Sequence, residues 1–234
     1  MKEQVINSFD LLAIEYENTV DTESPYNTHY ERPAMMRMIN SNLNSLNVLD
    51  AGCAAGWYTE SLLNRGANVT AIDISQSMVM AAKRRVGNKA NIVCHDLEEN
   101  LPFQNEFFDL IVSSLTLHYV KDWNHVFKEF KRILKPGGSL LFSVHHPFSD
   151  YRLFNREDYF TKELMKDVWV KSGKEIEVVF YCRSLQEMIK DTVSHFTLSS
   201  LVEPQPIKEL EEINEKAFNT LMNEPRFLII KATK

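Results

Sequence analysis

The segment Val48-Leu49-Asp50-Ala51-Gly52-Cys53-Ala54-Ala55-Gly56-Trp57-Tyr58-Thr59 carries the residue types and spacing most suited to holding a ligand. A short apolar run ends in an acid, small residues follow, and a helix begins. A Gly-rich turn between a parallel strand and a helix lets a ligand approach the backbone closely, with the N–H groups of the helix start facing it. Asp73 ends a second apolar run, Val69 to Ile72, where an acid about 20 residues past the turn is placed to hold a ribose diol. A lone Gly-x-x-x-Gly is equally compatible with a plain turn. The spacing is not the dinucleotide pattern Gly-x-Gly-x-x-Gly, because Ala54 replaces the second Gly and Gly56 comes one residue early. Asp50, just before the turn, would repel a pyrophosphate and attract a cation. A nucleoside bearing an amino acid and a sulfonium suits that charge better than NAD.

Four more stretches follow in order: Ala71-Ile72-Asp73-Ile74-Ser75, Cys94-His95-Asp96-Leu97, Phe108-Asp109-Leu110-Ile111-Val112-Ser113-Ser114 and Leu134-Lys135-Pro136-Gly137-Gly138-Ser139-Leu140-Leu141. With the turn at 49–56, these five resemble in sequence and spacing the motifs of the class I S-adenosylmethionine-dependent methyltransferases. The likeness runs over roughly the first two thirds of the chain. Val202-Glu203-Pro204-Gln205-Pro206 and Ser143-Val144-His145-His146-Pro147-Phe148 resemble a small-molecule subgroup of type 11-like methyltransferases with broad or unassigned substrates. The resemblance implies an α/β fold, a Rossmann-like, doubly wound sheet of seven mostly parallel strands with an antiparallel last strand. It also implies N-terminal helices over the cofactor and a cap inserted after strand five. The cofactor implied is S-adenosyl-L-methionine, bound by Asp50, Gly52, Cys53, Ala54, Gly56, Asp73, Ile74, Met78, Asp96, Leu97, Ser113 and Ser114. In that setting Asp96 accepts from the adenine amino group and Leu97 packs on the ring; outside it, Asp96 is a loop acid capping a turn. Ala54 departs from the commonest family turn but is small enough to allow close approach. Ser113-Ser114-Leu115-Thr116 stand where amino-group methylases carry Asn/Asp-Pro-Pro-Tyr/Phe, so exocyclic-amine chemistry on nucleic acid is disfavoured.

The elements that must position these groups follow from periodicity and punctuation. Residues 1–45 form an N-terminal helical cover: Val5, Phe9, Leu12, Ala13 and Tyr16 recur at helical spacing, a loop runs from Asp21 to Thr28 with Ser24-Pro25 as breaker, and a second helix spans about 29–43. Tyr16 faces the cofactor, and Tyr26 and Tyr30 line the acceptor pocket, unless all three are amphipathic rings at a helix–sheet seam. Residues 46–146 form the cofactor-binding core, with strands at 46–49, 69–72, 91–94, 107–114 and 139–145. Ser75 caps a helix over 78–85, whose Lys83, Arg84 and Arg85 suit the C-terminal dipole better than a nucleic-acid patch. A helix over 123–134 ends at Pro136-Gly137-Gly138. His118 sits near the cofactor or packs under that helix.

Residues 147–183 exceed what a strand-to-helix connection needs. They are rich in aromatics, and Trp169-Val170 and 176–180 flank Lys171-Ser172-Gly173-Lys174 as a hairpin. This reads as a cap over the carboxyl ends of the strands, where ligands bind in open α/β sheets, with Tyr151, Tyr159, Trp169, Tyr181 and His118 facing the acceptor. The same surface serves equally as a homodimer contact. Residues 184–234 complete the sheet through a helix at 184–192, a strand at 196–202, a helix at 207–222 and a strand at 226–232.

Methyl transfer is an in-line displacement in which the cofactor supplies the activated group and the protein orients donor and acceptor. An O, N or S acceptor often needs a base. His145 and His146 end strand five; as neighbours they point to opposite faces, so one of them reaches the acceptor at most, and the pair does not chelate a metal. One buried histidine beside one loop histidine, in a proximity-only enzyme, is the alternative.

Composition bounds the rest. The chain has 234 residues, 44% hydrophobic and 25% charged, which suffices for one substantial core. No apolar run reaches membrane-spanning length and the N-terminus lacks a signal-peptide core. Three widely spaced cysteines, Cys53, Cys94 and Cys182, indicate neither a disulfide framework nor zinc, so a cytoplasmic protein is expected. The net charge of −6 argues against a nucleic-acid partner. The expected activity is methyl transfer to a small molecule. The alternatives are an RNA or protein methyltransferase, favoured by a basic groove across the cap, and a non-catalytic cofactor-binding protein, favoured by a blocked path to the cap.

Overall fold

The computed structural model describes residues 1–171 and 173–234. Its strands are β1 (Asn47–Ala51), β2 (Asn68–Asp73), β3 (Asn91–Cys94), β4 (Phe108–Ser113), β5 (Leu134–His145), β6 (Glu163–Lys171), β7 (Lys174–Cys182), β8 (Thr197–Val202) and β9 (Phe227–Thr233). Seven of them form one sheet in the order β3-β2-β1-β4-β5-β9-β8, while β6 and β7 pair apart as a hairpin. β1 to β5 are parallel; β9 runs antiparallel between β5 and β8. This is the Rossmann-like, doubly wound sheet of the expectation. The strand order reverses between β1 and β4, which opens the crevice where ligands bind in such sheets.

The helices are α1 (Lys2–Glu15), α2 (Asp21–Glu23), α3 (Arg32–Arg37), α4 (Trp57–Leu63), α5 (Gln76–Val86), α6 (Trp123–Ile133), α7 (Pro147–Leu153), α8 (Leu185–His195), α9 (Glu209–Ile213) and α10 (Glu215–Asn223). Alternation along the central strands divides the core into two layers. Leu49, Ile111, Phe142 and Val144 pack against Trp123, Phe127 and Phe130 of α6 and Met188 of α8. Val48, Leu110, Val112 and Leu141 pack on the other face against Met35, Tyr58 and Leu62. Strands buried on both faces need the near-continuous apolar runs seen in the sequence.

Several expected boundaries move. Residues 21–28 are not a loop: α1 continues through a π-type turn, Tyr16–Val20, into α2, and breaks only at Ser24. Pro25 then tolerates a helix start, because the N–H it lacks would be unpaired there anyway, and a second π-type turn, Asn27–Glu31, leads into α3. The helix expected at 29–43 therefore ends at Arg37. The helix expected at 207–222 is split, because the Asn214 side chain accepts the Ala217 N–H and starts α10 anew. Leu134 to Gly138 extend β5: Gly137 N–H donates to the Lys234 carbonyl and Lys234 N–H to that of Gly138. The hairpin is longer than expected, and Ser172 in its turn lies outside the described residues. No helix among the described residues is long and apolar enough to cross a membrane.

Candidate active site

A cavity of about 1080 Å³, counted out to its mouth, lies at the carboxyl ends of β1 to β4. Its floor is the turn Gly52-Cys53-Ala54-Ala55. Asp73 and Ile74 follow β2, His95 to Glu98 follow β3, and Ser114 to Thr116 follow β4. α1 lies over it, contributing Lys2, Val5 and Phe9; Tyr16, Asn27 and Arg32 come from the following helical turns.

The turn does not present its N–H groups to the cavity as the sequence suggested. Gly52 and Cys53 both donate to the Ile72 carbonyl, Ala54 donates to Asp73 Oδ2 at 2.8 Å, and Gly56 donates to the Cys53 carbonyl. A diphosphate needs such donors, so this floor suits a ligand that brings hydroxyl and amino groups instead. Gly52 is at φ +84°, and a Cβ there would stand 2.2 Å from Thr116 Oγ1. The crossing of β1's turn under the β4 loop therefore requires glycine.

Asp73 is the acid best engaged at the rim. Its Oδ1 accepts Ser75 N–H and its Oδ2 accepts Ala54 N–H, and burial pushes its carboxyl up to about 6. Asp96 accepts Glu98 N–H and pairs with Lys2 Nζ at 2.6 Å; hydrogen bonds to Asp96 and Glu99 hold the Lys2 ammonium well above its usual range. α1 is fixed over the cavity at two further points. Asp10 accepts from the Ser75 hydroxyl and Ser77 N–H, and the Ser8 hydroxyl donates to the Glu177 carbonyl of β7. Ile176 and Val178 of β7 pack with Leu12 of α1 and with Ala55 of the turn.

Of the residues expected around the cofactor, Tyr16, Gly52, Cys53, Ala54, Asp73, Ile74, Asp96, Leu97 and Ser114 line this cavity; Asp50, Gly56, Met78 and Ser113 do not. Asp50 is buried behind the turn, where it accepts the Thr59 hydroxyl at 2.6 Å and that residue's N–H, holding the first turn of α4; burial pushes its carboxyl up to about 7. Gly56 sits against Ala82 of α5. Met78 is sealed under α1, and Ser113 donates to the Ala51 carbonyl inside the sheet.

None of the seven side chains expected to touch the acceptor lines the cavity. Tyr30 is fully buried with its hydroxyl accepting Arg226 N–H, and Tyr26 packs edge-on to Phe227. Tyr151 packs on Tyr159, whose hydroxyl accepts Leu185 N–H. Trp169 donates to Asp167, Tyr181 lies under the Arg183 guanidinium, and His118 is buried against His145. In each case the partner is another part of the protein: β9 for Tyr26, its approach for Tyr30, α8 for Tyr159, β5 for His118, and near neighbours in sequence for Tyr151, Trp169 and Tyr181. His146 faces away from the cavity side and bonds Glu203 Oε1 at 2.8 Å. Among the described residues no group of three metal-ligating side chains comes together.

Sequence reasoning missed Glu31 and Arg32. Glu31 is fully buried and accepts three hydroxyls: Tyr58 at 2.8 Å, Ser114 at 2.8 Å and Ser143 at 2.5 Å. Burial raises its carboxyl. It ties the N-terminal cover to α4, β4 and β5 at once. Arg32, beside it, stacks 4.3 Å over the Trp57 ring of α4 and lines the cavity. An acid–base pair at the start of a helix reads in sequence as solvated surface.

The model of the methyltransferase domain family matches residues 49–142, the stretch that builds the cavity floor. The likeness to S-adenosylmethionine-dependent methyltransferases lies in this domain and in the sheet built on it. It is similar to a malonyl-[acyl-carrier protein] O-methyltransferase of Buchnera aphidicola, at 37% identity over 100 residues that cover 43% of this chain and 40% of that protein. It is 32% identical to a ubiquinone biosynthesis O-methyltransferase of Coxiella burnetii over 149 residues, 61% of this chain and 62% of that one. The chain thus spans less than two thirds of the length of these curated relatives. A solved structure from Listeria monocytogenes, described as a candidate S-adenosylmethionine dependent methyltransferase, superposes with a TM-score of 0.75 at 28% identity, covering 87% of this chain and 96% of that one.

Proposed function

We propose that this methyltransferase moves a methyl group from S-adenosylmethionine to an O, N or S atom of a small molecule. The observation that carries the reading is the cavity itself. It has acids at the ends of β2 and β3, a floor whose Gly52, Cys53 and Ala54 N–H groups are already engaged, and a cover from α1. When bound, the cofactor supplies a methyl group already activated for displacement. The chain's own residues bind, orient and exclude solvent. Asp73 accepts the ribose hydroxyls. Asp96 accepts the adenine amino group while Ile74 and Leu97 flank the ring. Tyr16 and Arg32 line the same cavity, where a guanidinium complements an α-carboxylate. The aromatic lining from Phe9, Tyr16 and Tyr119 and the cover by α1 support a small acceptor over RNA or protein. The strand β6 exposes Leu164, Val168 and Val170, which supports a homodimer contact through the cap; light scattering tests it.

Calorimetric titration with S-adenosylmethionine, S-adenosylhomocysteine and NAD tests the central reading. Saturable binding of the first two and not the third is expected. Binding of NAD alone would refute it.

A further inference from the structure

A buried charge stands directly behind the cavity wall that Ser114 helps to form. Glu31 is fully buried, and its carboxyl accepts the Tyr58 and Ser114 hydroxyls at 2.8 Å each and the Ser143 hydroxyl at 2.5 Å. Tyr58 and Ser114 line the cavity, and Ser143 accepts the N–H of Leu115, which lines it too. Each of the three donors is therefore part of the wall or braces it. Asp50, the buried acid at the end of β1, differs: its partner Thr59 is buried away from the cavity. Glu31 lies one hydroxyl behind the surface, about 5–6 Å from a ligand atom touching Tyr58 or Ser114, which is two hydrogen-bond lengths. A hydroxyl that gives its proton to Glu31 turns its oxygen lone pairs outward, so it carries the negative charge to the wall. Sealed from water, that charge is weakly screened.

The order of the strands says which part of the cofactor meets this wall. Asp96 follows β3, Asp73 ends β2, the Gly52 turn follows β1 and Ser114 follows β4, and these strands lie side by side as β3-β2-β1-β4. A ligand with its adenine at Asp96 and its ribose at Asp73 carries its sulfur and amino acid onward over the ends of β1 and β4. The sulfur, between ribose and amino acid, thus falls on the Ser114 side of Asp73. A positive sulfur there meets oxygen atoms backed by Glu31. Burial raises the Glu31 carboxyl, while the three donors and the Arg32 charge oppose that rise. A cation at the wall opposes it further, so the carboxylate and the cation favour each other. Methyl transfer removes this attraction, because the sulfonium becomes a neutral thioether.

We propose that Glu31 is a positioning residue for ligand charge: acting through the Tyr58 and Ser114 hydroxyls, it makes the cavity prefer the sulfonium cofactor to the neutral thioether left after methyl transfer. The inference rests on the methyltransferase reading above. It gives the buried acid a task beyond joining the N-terminal cover to the sheet. The cofactor is held while it carries the methyl group, and the spent form is held less tightly.

The test compares three ligands that share the adenosine and the amino acid and differ in charge near the sulfur position. S-adenosylmethionine is a sulfonium, sinefungin carries a protonated amine there, and S-adenosylhomocysteine is neutral. Affinities are measured by calorimetry on the full chain as wild type, E31Q and E31D, each checked for folding by circular dichroism. Glutamine keeps the shape and removes the charge, and its amide still accepts from the two serines while donating to Tyr58. The wild type should bind both cations at least as tightly as S-adenosylhomocysteine. E31Q should lose about tenfold for each cation, about 1.4 kcal/mol, with S-adenosylhomocysteine changed by less than about threefold, about 0.7 kcal/mol. E31D, which keeps the charge, should keep the wild-type preference. A purely structural role would weaken all three ligands alike. Equal losses in E31Q, no loss for the cations, or a preference that vanishes in E31D as fully as in E31Q would overturn the assignment and leave the methyltransferase reading intact. If E31Q does not fold, the wild type and E31D decide, since tighter binding of S-adenosylhomocysteine than of both cations by the wild type also overturns it. Failure of the wild type to bind any of the three would overturn the methyltransferase reading and this inference with it.

Discussion

Replacing Gly52 with Ala should be the most damaging methyl-sized change in the turn. The residue is at φ +84°, and the added Cβ would stand 2.2 Å from Thr116 Oγ1, 2.3 Å from its Cγ2 and 2.7 Å from its Cβ. Rotating the Thr116 side chain cannot relieve the contact with its own Cβ, so the backbone at 115–116 must shift. That backbone is already constrained, because Leu115 adopts φ +46°. The left-handed conformation costs a non-glycine residue roughly 1–2 kcal/mol, and overpacking adds about 1–3 kcal/mol. The expected loss is therefore about 2–5 kcal/mol in urea unfolding at pH 7, with cofactor affinity falling as well, because Gly52 and Thr116 both line the cavity. A cycle with Thr116→Gly separates the two contributions. In that background the same change should cost only the conformational part, about 1–2 kcal/mol. A loss below about 1 kcal/mol in the wild-type background, or an equal loss in both, would show that the two loops do not meet as described.

Asp73→Ala should weaken S-adenosylmethionine binding at least about tenfold, about 1.4 kcal/mol, because it removes the rim acceptor and frees the N–H groups of Ala54 and Ser75; unchanged affinity in calorimetry would sink that role. Glu31→Ala should destabilise the fold by about 3 kcal/mol or more, since three buried hydroxyls lose their common acceptor; a chemical-denaturation midpoint within error of wild type would contradict the network. The raised carboxyl of Asp50 fixes the sign of a pH effect. The folded state binds that proton more tightly than the unfolded chain, so Asp50 favours folding below about pH 4, and this support is lost as pH rises toward about 7. The difference between wild type and D50N, followed by urea unfolding from pH 4 to 8, should thus fall by up to a few kcal/mol; a difference that rises with pH would refute the buried placement.

The parallel core was legible because each of its signals is local. An apolar run, a glycine that must take positive φ, and an acid at a strand's end recur within short windows, and the sheet hydrogen-bonds them in the expected order. Ser75 shows this at the level of one residue: it reads as a helix cap and accepts Met78 N–H at 3.1 Å. Asp50 shows where such reading stops. Its position before the turn suggested an outward charge, but the strand's alternation turns it inward to Thr59. The tyrosines and tryptophan of the cap were read as facing a ligand because they are aromatic and near the strand ends, and their partners turn out to be other parts of the chain.

By itself, then, the sequence determined the run of parallel strands and the places of Gly52, Asp73 and Asp96 just past their ends, since backbone conformation and short-range hydrogen bonding demand particular residue types at fixed spacing. Tertiary structure alone decided which charges are buried and what they meet. Glu31 joins Ser143 across 112 positions of sequence, and Lys2 meets Asp96 only because α1 folds back over the sheet. His145 meets Asp150 through the turn into α7 and is walled in by β7. Burial and pairing are properties of the space between elements, and the energy of a buried charge depends on partners that no local window contains.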